Sequence, residues 1–295
     1  MRALILSACL AAAPLGAAEA PAEPAGAAAE AVAAAPEPGP WKRSLVSALN
    51  VNQAHFDNWR AGGEDSLAWA ANLNGSWAYA TPQRDWSNSL KLAYGQSRIG
   101  AAEPIKSADS IHVDSSYTRI LNQYVNPFVS AAWDTQFVTG YQYFNGTTLT
   151  PVAVSKFMDP GYLSESLGLG YAKGEAFKFK LGGAAKQTFT DAYPGYADDP
   201  KTPAVERFKN EWGASAQAEL KLSLGQDLLF ESKLDLFSNL VASDQIDVKW
   251  ANLLSAKVNS WLSTNLFVDV VYDKDISTQR QLKQGLSLTL SYNLL

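Results

Sequence analysis

The sequence predicts an all-β chain: a closed, antiparallel, up-and-down transmembrane β-barrel of about twelve strands with both termini periplasmic. Three observations predict it. Segments in which polar and apolar residues alternate recur from Trp41 to the end of the chain. The connections between them are short and long by turns. Aromatic residues gather at the two ends of the segments, where membrane interfaces select them. Composition agrees, since 9 Trp, 12 Tyr and 12 Phe stand against only 18% charged residues in a chain that is 47% apolar. The net charge of -5 comes without a basic stripe, which argues against nucleic acid as a partner.

Residues 1–20 read as a secretory signal peptide. Arg2, the apolar run 3–15 and the small-residue site Ala18-Glu19-Ala20 supply its three parts, and cleavage is expected after Ala20. Leu6-Ser7-Ala8-Cys9 is close to a lipoprotein box, but too few residues separate Cys9 from Arg2 for a normal apolar core. Cys9 is the only cysteine, so the mature chain is expected to have none and to form no disulfide. Residues 21–40 are almost all Ala, Pro, Glu and Gly, a composition that buries nothing and reads as a linker. The barrel is expected over 41–295. Beyond residue 40 no uninterrupted apolar run reaches the length of a spanning helix, so a membrane crossing must be made by strands.

Alternation and turn chemistry place the strands at 44–53, 66–80, 85–96, 109–121, 124–139, 163–171, 177–181, 211–224, 227–237, 246–258, 265–273 and 281–295. The last is the most regular, with Leu286, Leu288, Leu290, Tyr292 and Leu294 on one face and Gly285, Ser287, Thr289, Ser291 and Asn293 on the other. Short connections fall at 81–84, 122–123, 173–175, 225–226 and 259–263, and long ones at 56–65, 97–108, 143–160 and 190–209. Short turns on the periplasmic side and long loops outside fix the direction of the barrel. The hairpin around Gln226 also fixes a register. Centring there sets Lys221 opposite Glu231 and Glu219 opposite Lys233, whereas a slip of two residues either way opposes like charges. One aromatic band would hold Trp77, Tyr79, Trp86, Tyr124, Tyr171, Phe177 and Trp261, and the other Trp69, Tyr141, Tyr162, Phe189, Trp212 and Trp250.

Several local patterns resemble an uncharacterised family of exported bacterial proteins, domain of unknown function 3078, regarded as outer-membrane barrels. They are Asn58-Trp59-Arg60-Ala61-Gly62-Gly63-Glu64, Leu92-Ala93-Tyr94-Gly95, Lys106-Ser107-Ala108-Asp109, Thr135-Gln136-Phe137 with Gly140-Tyr141, and Ser155-Lys156-Phe157-Met158-Asp159-Pro160-Gly161-Tyr162. The resemblance covers most of the chain from about Leu49 and implies location and fold, with no activity attached. The tail from Lys283 to Leu290 also looks like the signal read by the barrel assembly machinery, carried by Gly285, Leu288 and Leu290, although Leu295 stands where a terminal aromatic is common.

Candidate chemistry is sparse. His112, Asp114 and Ser116 share one face of a strand, which invites a Ser, His and acid reading. On one strand, however, His112 and Ser116 stand roughly 13 Å apart, beyond hydrogen-bond reach, so a polar lumen lining is the expected role. With two His, one of them His55 beside a loop, a zinc site of the usual type is not expected. Asp198-Asp199 and the pair Asp273 and Asp275 have oxygen ligands suited to Ca²⁺, but acidic loops are ordinarily just solvated. Asn145-Gly146-Thr147 matches a glycosylation sequon that carries little weight in a bacterial setting. No cofactor is expected. The loop 56–65 is more pointed: Phe56, Trp59 and Arg60 flank the Gly62-Gly63 turn and form a candidate constriction of the mouth, or an interface anchor.

The expected lumen lining is Lys91, His112, Asp114, Lys178, Lys180, Lys186, Glu219, Lys221, Glu231, Lys233, Asp235, Lys257 and Asp269, a mixture of both signs that announces no ion selectivity. A twelve-strand lumen lies between filled eight-strand and open sixteen-strand barrels. The expected function is a narrow pore or transporter for small polar solutes, with outer-membrane lipid and the assembly machinery as partners. A structural or adhesive surface barrel and a barrel-borne hydrolase are the alternatives.

Overall fold

The computed structural model describes residues 40–58, 60, 63–142, 151–199, 201–240, 246–273 and 279–295. The signal segment, Cys9 and the linker up to residue 39 lie outside these, as do Asn145-Gly146-Thr147 and Asp275. The strands are β1 (Trp41–Ala54), β2 (Ser66–Thr81), β3 (Arg84–Ile99), β4 (Ile105–Arg119), β5 (Asn126–Thr135), β6 (Gly140–Gln142), β7 (Val152–Ser155), β8 (Gly161–Lys173), β9 (Phe177–Phe189), β10 (Phe208–Ser223), β11 (Leu228–Asn239), β12 (Ile246–Lys257), β13 (Leu262–Tyr272) and β14 (Gln281–Asn293). All but β6 and β7 form one closed antiparallel barrel of 12 strands, sealed by β14 against β1. No helix among the described residues is long and apolar enough to cross a membrane.

Why these segments form strands follows from their alternation, and the structure extends most of the expected ones by a few residues. Two differences have a physical cause. β9 continues to Phe189, well past residue 181, because Gly182, Gly183, Ala184 and Ala185 carry no hydrophobic alternation yet pair along β8 and β10. β5 is shorter than expected at both ends: Asn126 takes over the turn before it, accepting the amides of Leu121 and Asn122 with its side chain, and past Thr135 the amides of Phe137 and Val138 go to the Asp109 carboxylate. The connection from β5 to β8 contains the β6–β7 hairpin, which sits apart from the barrel sheet. The register expected at Gln226 is the one observed: Lys221 faces Glu231, with an ion pair at 3.1 Å, and Glu219 faces Lys233.

The barrel is inside-out relative to a soluble protein. Leu167, Leu181, Leu266, Leu282, Leu286 and Leu288 stand exposed on its outer face. Thr188, Thr289, Ser255, Asn265 and Asp269 are buried within. A soluble sandwich would place the leucines in a core and leave the hydroxyls wet, so the arrangement fits a barrel whose outside meets lipid. Aromatic clusters mark both ends of the outer face: Trp41 with Tyr79 and Trp86, and Tyr171 with Phe177, at the short-turn rim; Trp69 with Tyr94, and Phe189 with Phe208, toward the long-loop rim. Tyr162 departs from the expected band. It is buried, and it lines the lumen.

The long-loop rim is tied by carboxylates and one hydroxyl from the segments that resemble the family. Asp109 accepts the amides of Phe137 and Val138 and the ammonium of Lys106, which also reaches the Gln136 side chain. The Thr135 hydroxyl accepts the Met158 amide and donates to the Pro160 carbonyl. Asp159, 1% exposed, accepts the amides of Asp191, Ala192 and Tyr193 and so binds the β7–β8 connection to the loop after β9.

Candidate functional site in the barrel lumen

Contacts between strands that are not neighbours define the inner face. Lys186 on β9 donates to Asp247 on β12 at 2.8 Å and to Asp273, just past β13, at 2.9 Å. Lys180, also on β9, donates to the Ser116 hydroxyl on β4 at 2.7 Å, with the Phe128 ring beneath its ammonium. Lys283 on β14 reaches the Ser107 carbonyl on β4 at 3.2 Å. In the ring order each pair is separated by two or more intervening strands, so these side chains cross the lumen. Lysine suits that span, having a long flexible stem with a charge at its end.

Pairing carries the same face around the barrel. Lys91 lies between Asn74 and His112 in register, and Lys178 lies opposite Glu219, with its ammonium 3.4 Å from Glu175. Lys233 is 3.8 Å from Asp235. Asp269 is buried opposite Lys283, and Lys257 sits opposite Ser263 near the short-turn rim. Gly285 lies under the Phe267 ring, where a Cβ would collide with it, while Leu288 and Leu290 are exposed.

His112 does not join Ser116 in a catalytic array. Its Nδ1 is 2.7 Å from Asp134 and its Nε2 is 3.6 Å from Asp114, whose carboxylate is also bonded by the Ser89 hydroxyl. Ser116, meanwhile, receives Lys180. The imidazole links the two carboxylates in the wall of the lumen. Asp273, considered from sequence as a Ca²⁺ ligand, pairs with Lys186 instead.

In the half of the lumen toward the long loops His112, Asp134, Lys186 and Asp273 border a cavity of about 170 Å³. One wall, from β5, β8, β9 and β10, carries small residues such as Ser130, Ser164, Ser166, Ala184 and Ser215; the facing wall carries Lys233, Asp235, Asp247, Lys249 and Asp273. Ser130 and Ser166 share a hydrogen bond of 2.7 Å. His112, Lys186, Lys233 and Asp235 are lumen residues expected from sequence, whereas Tyr162 is expected in the outer aromatic band and Asp134 and Lys249 are not singled out, because inward direction depends on register carried around the ring.

Of the candidate mouth constriction, Phe56, Arg60 and Gly63 are described, while Trp59 and Gly62 lie outside the described residues. The loop is tied at its base by Asp65, which accepts the Phe56 amide at 2.8 Å and lies 3.0 Å from His55 Nδ1. Those bonds, the amide first, hold the Asp65 carboxyl below its usual range. The Phe56 ring lies against Gly63, whose φ of 144° suits glycine and where a Cβ would strike the ring.

Residues 51–141 match the family described as Protein of unknown function (DUF3078), the one the sequence motifs resemble. The match takes in the motifs from Asn58 to Tyr141 and ends before the segment Ser155 to Tyr162. No curated protein matches the chain. Among solved structures, the chain is similar to the COG4313 outer membrane channel from Pseudomonas putida F1, at 9% identity and TM-score 0.41, over 88% of this chain and 96% of that one. It is also similar to the translocator domain of the autotransporter NalP from Neisseria meningitidis, at 9% identity and TM-score 0.40, over 87% and 89% respectively.

Proposed function

We propose that the chain is a Gram-negative outer-membrane barrel, exported by residues 1–20 and preceded by the linker 21–40, that acts as a narrow pore or transporter for small polar solutes. The observation that carries this reading is Lys186 reaching across the lumen to two aspartates beside a cavity lined by charges of both signs. A barrel built only as a surface scaffold could fill its interior completely with side chains, as small barrels do. Here the interior instead keeps ion pairs of both signs around space that a solute can enter. Buried charges are costly unless paired, and the pairing of Lys186 with two aspartates meets that cost while leaving the passage polar. Apolar outer residues between aromatic bands supply the lipid contact.

Two measurements test the reading. Folded protein should migrate differently from boiled protein on a denaturing gel and should require detergent to stay dispersed. In planar bilayers it should give small, steady conductance steps, and deleting 56–65 should enlarge them if that loop narrows the mouth. A barrel that inserts and never conducts would leave the structural surface role.

A further inference from the structure

We infer that the lumen cavity is a binding site for a small zwitterion, a solute carrying an ammonium and a carboxylate on one short carbon frame; the inference rests on the pore reading for its purpose and on the cavity for its chemistry. Asp235 and Lys249 are directly opposite in register on β11 and β12, and both line the cavity. Opposite charges in that position ordinarily pair with each other. Here they do not. Asp235 Oδ1 is buried without a hydrogen-bond partner among the described residues, and Oδ2 has only the 3.8 Å contact from Lys233. Among the described residues Lys249 has no ion pair.

Across the cavity the Tyr162 hydroxyl is likewise buried and unpartnered among the described residues, on a side chain that is 9% exposed. Buried polar groups are nearly always bonded, so the two unmet buried atoms, Asp235 Oδ1 and the Tyr162 hydroxyl, point to what the cavity holds, and the exposed Lys249 stands on the same cavity wall as a charge with no ion pair among the described residues. A solute ammonium would donate to Asp235, its carboxylate would accept from Lys249, and Tyr162 can serve either end, since its hydroxyl both donates and accepts. A solute of one sign would satisfy one wall group and confront the other. Water can fill the same volume and serve Asp235 Oδ1 and the Tyr162 hydroxyl, but it leaves Lys249 without a counter-charge. The small side chains of Ser130, Ser166 and Ser215 leave the room that the facing charges require.

Detergent-purified protein is titrated calorimetrically with alanine, and with lactate and ethylamine as single-charge probes. Alanine should bind at least about tenfold tighter than either, because each wall charge contributes a charge-assisted bond. Asp235→Asn and Lys249→Gln should each lower alanine affinity at least about tenfold while leaving the heat-modifiable gel shift in place. Tyr162→Phe should lower it by a smaller factor. Absence of alanine binding, equal binding of the three probes, or unchanged affinity in both charge variants would overturn the site. Conductance separates this from the pore reading: a conducting barrel that ignores alanine sinks the site alone, and a barrel that binds alanine without conducting sinks the pore alone.

Discussion

Asp159 shows how one side chain holds a rim together. A buried carboxylate accepting three backbone amides replaces the water those amides would otherwise need. Removing it leaves three part-buried bonds without their acceptor. Asp159→Ala should therefore destabilise the barrel by about 3 kcal/mol, measured by urea unfolding in detergent. Asp159→Asn, which keeps one carbonyl acceptor, should cost clearly less. Equal stability of the alanine variant and the parent would show that the amides find other partners. The importance of this residue was visible in sequence only as part of a resemblance. The amides it receives lie 32 to 34 positions further along, in a loop that has no alternation to read.

The seam between β1 and β14 is the element on which closure depends, and it is the shortest in the barrel. It pairs only from Val46 with Asn293 to Val51 with Leu288, whereas β1 pairs with β2 from Trp41 to Ala54. Beyond Val51 the Asn52 side chain donates to the Leu286 carbonyl in place of a ladder bond. A second cavity, of about 220 Å³, lies against this part of the wall, lined by Asn265 and Lys283 as well as by the outward Val51, Trp69 and Leu286. Amides of residues 281–287 should thus exchange faster than those of β13, and Asn52→Ala should accelerate them further. Uniform protection across β13 and β14 would contradict this. Strands are the scale at which the sequence was most legible. Alternation found all 12 barrel strands, and paired charges at Gln226 fixed one register to the residue. The Gly182-Gly183 stretch escaped because small residues have no oily face. The Lys186 bridge to Asp247 and Asp273 escaped because it depends on pairing propagated across β10, β11 and β12, which no single hairpin reveals.

At the scale of the whole molecule, an even strand number brings Trp41 and Asn293 to the rim that carries the short turns, so the direction of insertion decides which loops meet the outside. The connection after β9, which includes Thr202, lies at the opposite rim from Gln226. Our reading places the long loops outside the cell and the short turns in the periplasm, as export followed by insertion of a closed barrel would leave them. Cysteine offers a clean test because Cys9 is the only native one and falls in the segment expected to be cleaved. With a membrane-impermeant maleimide on intact cells, Thr202→Cys should label at once, whereas Gln226→Cys should label only after the outer membrane is permeabilised. The unaltered chain should take no label under either condition. The reverse order of labelling would turn the barrel over, and labelling of the unaltered chain would mean that Cys9 stays with the mature protein.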